Sequence, residues 1–109
     1  MPEILGTFEQ VVLVSVVHLK QGAYGRAILR EVEKRLQRPV VAGAVYATLD
    51  RLEAKGFLTS GLGPGTPERA GRARRFFTIQ ADGVRALNEA RRTTDSIWSG
   101  LRWPLKGRS

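Results

Sequence analysis

The apolar positions of this chain fall into three stretches of helical spacing, then a short alternating stretch, then a fourth helical one. In the first, residues 11–19 are β-branched enough for a buried strand. Thr7-Phe8-Glu9-Gln10 ahead of them has the form of a capping box, and the run reaches Lys20 before Gly22 stops it. Cap and length predict a helix in which Thr7 and Gln10 satisfy amide groups at the start. In the second stretch Tyr24, Ile28, Val32 and Leu36 recur at steps of four, one stripe of an amphipathic helix. Gly25 permits close approach of another backbone there, and Gln37-Arg38-Pro39 ends the helix, because the residue before proline avoids helical geometry. The third stretch spans residues 41–55 and stops at Gly56, a suitable glycine just past a helix end. Val41, Val45, Leu49 and Leu52 line one face of it. The opposite face holds Gly43, Ala47 and Asp50, with Tyr46 and Arg51 on its flanks. The N-terminal half of that outer face is made of very small residues, so it can come close to another surface.

Residues 57–60 predict a short strand, followed by a loop rich in glycine and proline. A second strand over residues 74–79 alternates Arg75, Phe77 and Ile79 with Arg74, Phe76 and Thr78. The last helix spans residues 81–101. It carries Leu87, Ala90, Thr94, Ile97 and Leu101 at spacings of 3, 4, 3 and 4, an a/d seam over two heptads. Three helices, a hairpin and a closing helix predict a fold that is mainly α with a small β-hairpin: a winged helix-turn-helix. The seam either covers its own domain or meets a second copy.

With 109 residues the chain makes one compact domain, of a size at which oligomerisation commonly adds core. The chain has no cysteine and one histidine, His18, which excludes thiol chemistry, disulfides and multi-histidine metal sites. His18 reads as a packed or half-exposed helix residue. The Gly61-Leu62-Gly63-Pro64-Gly65 loop lacks the Gly-Lys-Ser/Thr ending of a phosphate loop and precedes no helix. No catalytic constellation, cofactor or metal is therefore expected. No apolar run approaches the roughly 18 residues of a membrane span, nothing reads as a secretion signal, and a cytoplasmic location is expected. Charge is the positive clue. Eighteen bases against ten acids give +8, and fourteen of the bases are arginine, which forks onto phosphates better than lysine. Arg69, Arg72, Arg74 and Arg75 crowd into seven residues. Such a stripe is the electrostatic footprint of a nucleic-acid binder, although composition alone fits a solvated basic surface equally well. A non-specific nucleic-acid-coating protein is the alternative that this charge leaves open; the chain lacks the aromatic motifs of RNA-recognition sheets.

In order and in residues the chain resembles the PadR family of bacterial transcriptional regulators, in its small subgroup with a single C-terminal helix. Leu5-Gly6-Thr7-Phe8-Glu9 is similar to the family's opening Leu-Gly-x-x-Glu, and Tyr24-Gly25 to the start of its second helix. Residues 43–58 resemble its Gly-x-hydrophobic-Tyr-x-x-Leu-x-x-Leu-Glu-x-x-Gly-hydrophobic-Leu signature. Gly71-Arg72-Ala73-Arg74-Arg75-Phe76-Phe77 resembles its wing, with phenylalanines for the usual tyrosines, and Gly83 with Leu87 matches the start of its last helix. Val41 and Ala44 stand where the family commonly has hydroxyl residues, and Gln80 where it prefers threonine, so both helix starts lack a side-chain cap.

The resemblance implies a winged helix-turn-helix domain over residues 1–80, a dimerisation helix over 81–103 and a mobile tail over 104–109. It implies a DNA-binding regulator, a repressor relieved by a small-molecule effector, with double-stranded operator DNA and a second copy of the chain as partners. The third helix then enters the major groove, with Gly43, Tyr46, Ala47 and Arg51 as reading residues, and Arg69, Arg72 and Arg74 of the wing meet phosphates or the minor groove. Arg75 shares its side of the strand with Phe77 and Ile79 and is the weaker DNA contact. Leu87, Ala90, Thr94, Ile97 and Leu101 are the expected dimer contacts, made together with the first helix. Trp98 or Trp103 could line an effector pocket, although packing or a loose tail explains them more simply.

Overall fold

The structure, a computed structural model, describes residues 4–63 and 73–107. Helix α1 spans Thr7–Leu19 and continues through a 3₁₀ turn to Gly22; α2 spans Gly25–Leu36 and α3 spans Ala42–Ala54. Strands β1 (Leu58–Gly63) and β2 (Arg74–Ile79) pair antiparallel, with Ser60 opposite Phe77, and α4 (Ala81–Ile97) closes the order.

The start of α1 differs from expectation in its atoms. Gly6, rather than Thr7, is the N-cap, and the Gly6 amide donates to Glu9 Oε1 at 3.1 Å; Gln10 instead donates to the Leu5 carbonyl at 3.0 Å. Leu5 is buried just ahead of the cap, so the Leu-Gly-x-x-Glu run is a helix start in which one apolar side chain anchors and one carboxylate closes the first turn. The β-branched run behind it is helical. Its Val12, Leu13 and Val16 are buried in the core, where tertiary packing overrides a weak local preference.

Ile28 and Val32 of α2 and Val45, Leu49 and Leu52 of α3 complete this core, and Leu58 and Phe77 seal it from the hairpin side. Val41 is not on the buried face as its spacing predicted. It is the N-cap of α3 and 75% exposed, because the helix starts one residue later and the chain there is extended; Thr48 takes the fourth buried place instead. The end of α3 is as expected. Gly56 has φ +81°, its amide donates to the Glu53 carbonyl and the Phe57 amide to the Leu52 carbonyl, which turns the chain directly into β1.

Two further corrections concern lengths. Strand β1 runs on to Gly63, three residues beyond the predicted stop, because Gly61 and Gly63 pair with β2 and Gly63 lies under the Phe76 ring. Helix α4 ends at Ile97, so Leu101, expected on its seam, lies past the helix, after a reversal at Gly100 with φ +82°. Within α4, Ala90 is 5% exposed and Leu87 packs on the core, so the first half of the seam covers its own domain. Thr94 and Ile97 are both exposed.

Gly83 fixes how α4 sits. A Cβ built there would lie 2.4 Å from the Phe57 carbonyl oxygen and 2.9 Å from Ile79 Cγ1, against backbone that cannot turn aside. Gly83→Ala should therefore push α4 off the hairpin base. The expected net cost is about 1–3 kcal/mol despite the better helix propensity of alanine, a fall of roughly 5–15 °C in Tm. An unchanged or raised Tm in a thermal melt contradicts this packing.

Glu9 also ties α1 to the far end of α3, since Lys55 Nζ donates to its Oε2 at 3.1 Å. Burial pushes this carboxyl up, but the Gly6 amide and the Lys55 charge, helped by Arg51, together hold it below its ordinary value. A carboxyl depressed in the folded state adds stability above its unfolded pKa and loses it as pH falls through the folded one. Glu9→Gln should thus cost roughly 1–2 kcal/mol in urea unfolding at pH 7, and the gap to wild type should close at the acid end of the carboxylate range. A gap independent of pH contradicts the assignment.

Candidate nucleic-acid interface

With Val45, Leu49 and Leu52 turned into the core, helical periodicity turns Gly43, Ala47 and Asp50 outward, and all three are exposed. Tyr46 and Arg51 flank this stripe as expected, both on the solvent side. Nothing in the chain comes within 4 Å of a Cβ built on Gly43. Packing does not require that glycine, although it weakens the helix relative to alanine.

Tyr46 is set by α2. A Cβ on Gly25 would lie 2.9 Å from Tyr46 Cε1, so the close approach expected at Gly25 is to a tyrosine ring rather than to another backbone. Arg51 Nη2 donates to Thr48 Oγ1 at 3.0 Å, one bond that a stronger acceptor can replace, and not to Asp50 or Glu53.

The hairpin stands beside α3. The Phe77 amide donates to the Ala23 carbonyl at 2.8 Å, and Tyr24 bridges to Phe76, so β2 is held on both edges. The Arg74 guanidinium lies 4.0 Å over the Tyr24 ring, a cation–π contact that fixes this wing base at the start of α2. Arg69 and Arg72 lie outside the described residues. Tyr24, Gly25, Arg26, Tyr46, Asp50 and Arg74 border a cleft of roughly 310 Å³ between α2, α3 and β2, so the structure brings together Tyr46 and Arg74 from the predicted set.

Sequence reasoning missed the partners of Arg75. Its Nε donates to Ser60 Oγ at 2.9 Å, Nη2 binds Glu53, and Nη1 lies 3.6 Å from Asp50. Ser60 Oγ in turn donates to Glu53 Oε2 at 2.7 Å. Hydrogen bonding from Ser60, with the Arg75 charge beside it, holds the Glu53 carboxyl below its ordinary value. The only signal in the sequence is alternation, which sets Arg75 on the inner side of β2. The strand-to-helix distance is not legible there.

Of the expected dimer residues, Leu87 and Thr94 border an open groove with Gln10 and Val14 of α1, while Ile97 and Leu101 are exposed and Ala90 is buried inside the domain. Trp98, the C-cap of α4, and Trp103 are both exposed. No helix among the described residues is long and apolar enough to cross a membrane.

The same fold occurs in solved structures. A PadR-family transcriptional regulator from Eggerthella lenta is 24% identical, with 84% of this chain and 77% of that one covered and a TM-score of 0.65. A PadR-like transcription factor from Bacteroides fragilis is 23% identical, with 84% of each chain covered and a TM-score of 0.69. BpsR of Bordetella bronchiseptica, whose DNA binding is regulated by 6-hydroxynicotinic acid, is 22% identical over 94% of this chain and 73% of that one, with a TM-score of 0.62. No curated protein matches the chain. At these identities the structures show the fold. The family model is the stronger finding, because it matches residues 13–89, from the middle of α1 to the buried half of α4. An exposed small-residue stripe on α3 beside a basic hairpin is thus found in a chain that belongs to the PadR-like family of transcriptional regulators, DNA-binding proteins rather than enzymes.

Proposed function

We propose that this chain is a homodimeric, sequence-specific repressor that places α3 in the major groove of an operator. Gly43, Tyr46, Ala47 and Arg51 read base edges, and Arg69, Arg72 and Arg74 hold phosphates. The observation that carries this reading is Gly43. It is exposed, has open space where a side chain would sit, and brings the fold no packing return. An outside surface that must come close to the α3 backbone accounts for it. Alanine and glycine offer apolar contact, such as with a thymine methyl, while Arg51 can release Thr48 and fork onto a guanine. A small-molecule effector belongs to the same proposal, supported by the regulated DNA binding of BpsR.

Substitutions on α3 test it. Gly43→Leu should leave Tm within a few degrees of wild type yet remove binding to a duplex from the chain's own promoter. Arg51→Ala and Tyr46→Ala should each cost about 1–3 kcal/mol on that duplex and much less on random DNA. Equal affinity of wild type for both duplexes, or full binding by Gly43→Leu, contradicts the reading.

A second copy is expected on the outer half of α4 and the groove toward α1. Ile97 is 69% exposed there, with Trp98 and Leu101 beside it, and Val17 presents another apolar side chain on α1. Ile97→Asp removes no contact with the monomer core, so its melt should change little at protein concentrations below dimer formation. Sedimentation should show monomer where wild type is dimer, with operator affinity falling because two half-sites are no longer bridged. Wild type running as monomer at micromolar concentration contradicts it.

A further inference from the structure

Asp50 and Glu53 stand out as the wrong charge in the right place. Asp50 is exposed on the very stripe of α3 that would face DNA, and Glu53 lies one turn further along, toward the hairpin. Two carboxylates within a Debye length of phosphates, about 10 Å at 0.1 M salt, would oppose binding. Both are met by one side chain. Arg75 comes from the inner face of β2, where Ser60 and Phe77 are its neighbours, and reaches α3 across the strand pair. Its Nε is taken by Ser60, its Nη2 by Glu53, its Nη1 faces Asp50, and its guanidinium carbon lies 5.1 Å from the centre of the Phe77 ring. With Nε and Nη2 hydrogen-bonded and Nη1 facing Asp50, the guanidinium is turned toward protein carboxylates and does not offer its bidentate edge to a phosphate.

We propose that Arg75 is a positioning residue of the interface: it fixes the angle between the hairpin and α3 through Glu53 and Asp50, and masks both carboxylates, without itself contacting DNA. The inference rests on the reading of α3 as the DNA-facing helix. Isolated surface ion pairs contribute little, but this one is a network, in which the Ser60 hydroxyl accepts from Arg75 and donates to Glu53. It closes a loop of polar contacts over the buried Phe77 and Leu58, at the place where the strands leave the core.

The role is separated from a direct phosphate contact by a double-mutant comparison. Arg75→Gln should lower affinity for the promoter duplex roughly tenfold in the wild-type background. In a D50N/E53Q background, where the partners are already gone, it should change affinity less than about twofold. An equal loss in both backgrounds, with the slope of log affinity against log salt flattening by about 1 per monomer, would mean that Arg75 touches phosphate and would overturn the proposal. The free protein supplies a second readout. Arg75→Gln should speed amide hydrogen exchange across β1 and β2 at least several-fold while Val12, Leu13 and Val16 of α1 keep their protection. Unchanged exchange in the hairpin overturns the tie. Absence of any duplex binding by wild type instead refutes the reading of α3, and the exchange measurement then decides the tie by itself.

Discussion

Everything outward in this molecule depends on one stripe of α3 being buried. Val45, Leu49 and Leu52 are essentially inaccessible to solvent, each worth about 1.5–3 kcal/mol as apolar surface removed from water. A helix that commits one face so completely has its opposite face chosen for it. Gly43, Ala47 and Asp50 look outward because rotation of α3 by even one position would draw Asp50 or Tyr46 into the core and lift a leucine into water. The rigidity of the candidate interface is thus a by-product of the core, and side chains on it are held in a register that a loop could not provide.

The elements around α3 keep that register. At one end, Lys55 reaches Glu9 and the Gly56 turn leads straight into β1; at the other, Glu33 accepts the Val40 amide at 3.0 Å and steadies the turn from α2. The hairpin packs beside the same helix and is fixed there by Phe77 in the core and by the Arg75 network at the surface. Glycines carry the closest approaches: Gly25 under the Tyr46 ring, Gly63 under Phe76, Gly83 against the Phe57 carbonyl. The opposite side of the domain is built differently. The first half of α4 serves as a lid on α1, while the second half is polar and ends on the exposed Ile97.

Periodicity alone makes most of this architecture legible. The stripes of α2 and α3, the glycine stop at Gly56 and the bounds of β2 are set by local rules, and the chain folds as those rules require. The rest is decided by contacts remote in sequence or by competition between equally good local signals. Thr7 and Gly6 both suit a cap, and the buried Leu5 with Glu9 three residues on selects Gly6. Val41 fits the apolar spacing, yet an extended turn leaves it outside the helix. Gly61 and Gly63 read as loop, but pairing with Phe76 and Arg74 draws them into a strand, and the Phe76 ring covers Gly63. The heptad spacing takes in Leu101, although the helix ends at Ile97 and the chain reverses at Gly100. Among the candidate site residues, the outward orientation of Gly43, Tyr46, Ala47 and Arg51 on α3 is legible. The bonds of Arg75 and Arg51 are not, because alternation gives a side and never a partner.

A map of amide chemical shifts, in the free protein and with a short duplex from its own promoter added, bears most directly on the link between core and interface. If burying one face of α3 builds the DNA-binding face on the other, the largest shifts fall on the first two turns of α3, around Gly43 and Ala47. The residues flanking the hairpin tip should move with them, and the buried half of α4 should stay unmoved. Shifts gathered on α4 and α1, with the α3 resonances unchanged at saturation, would contradict that link.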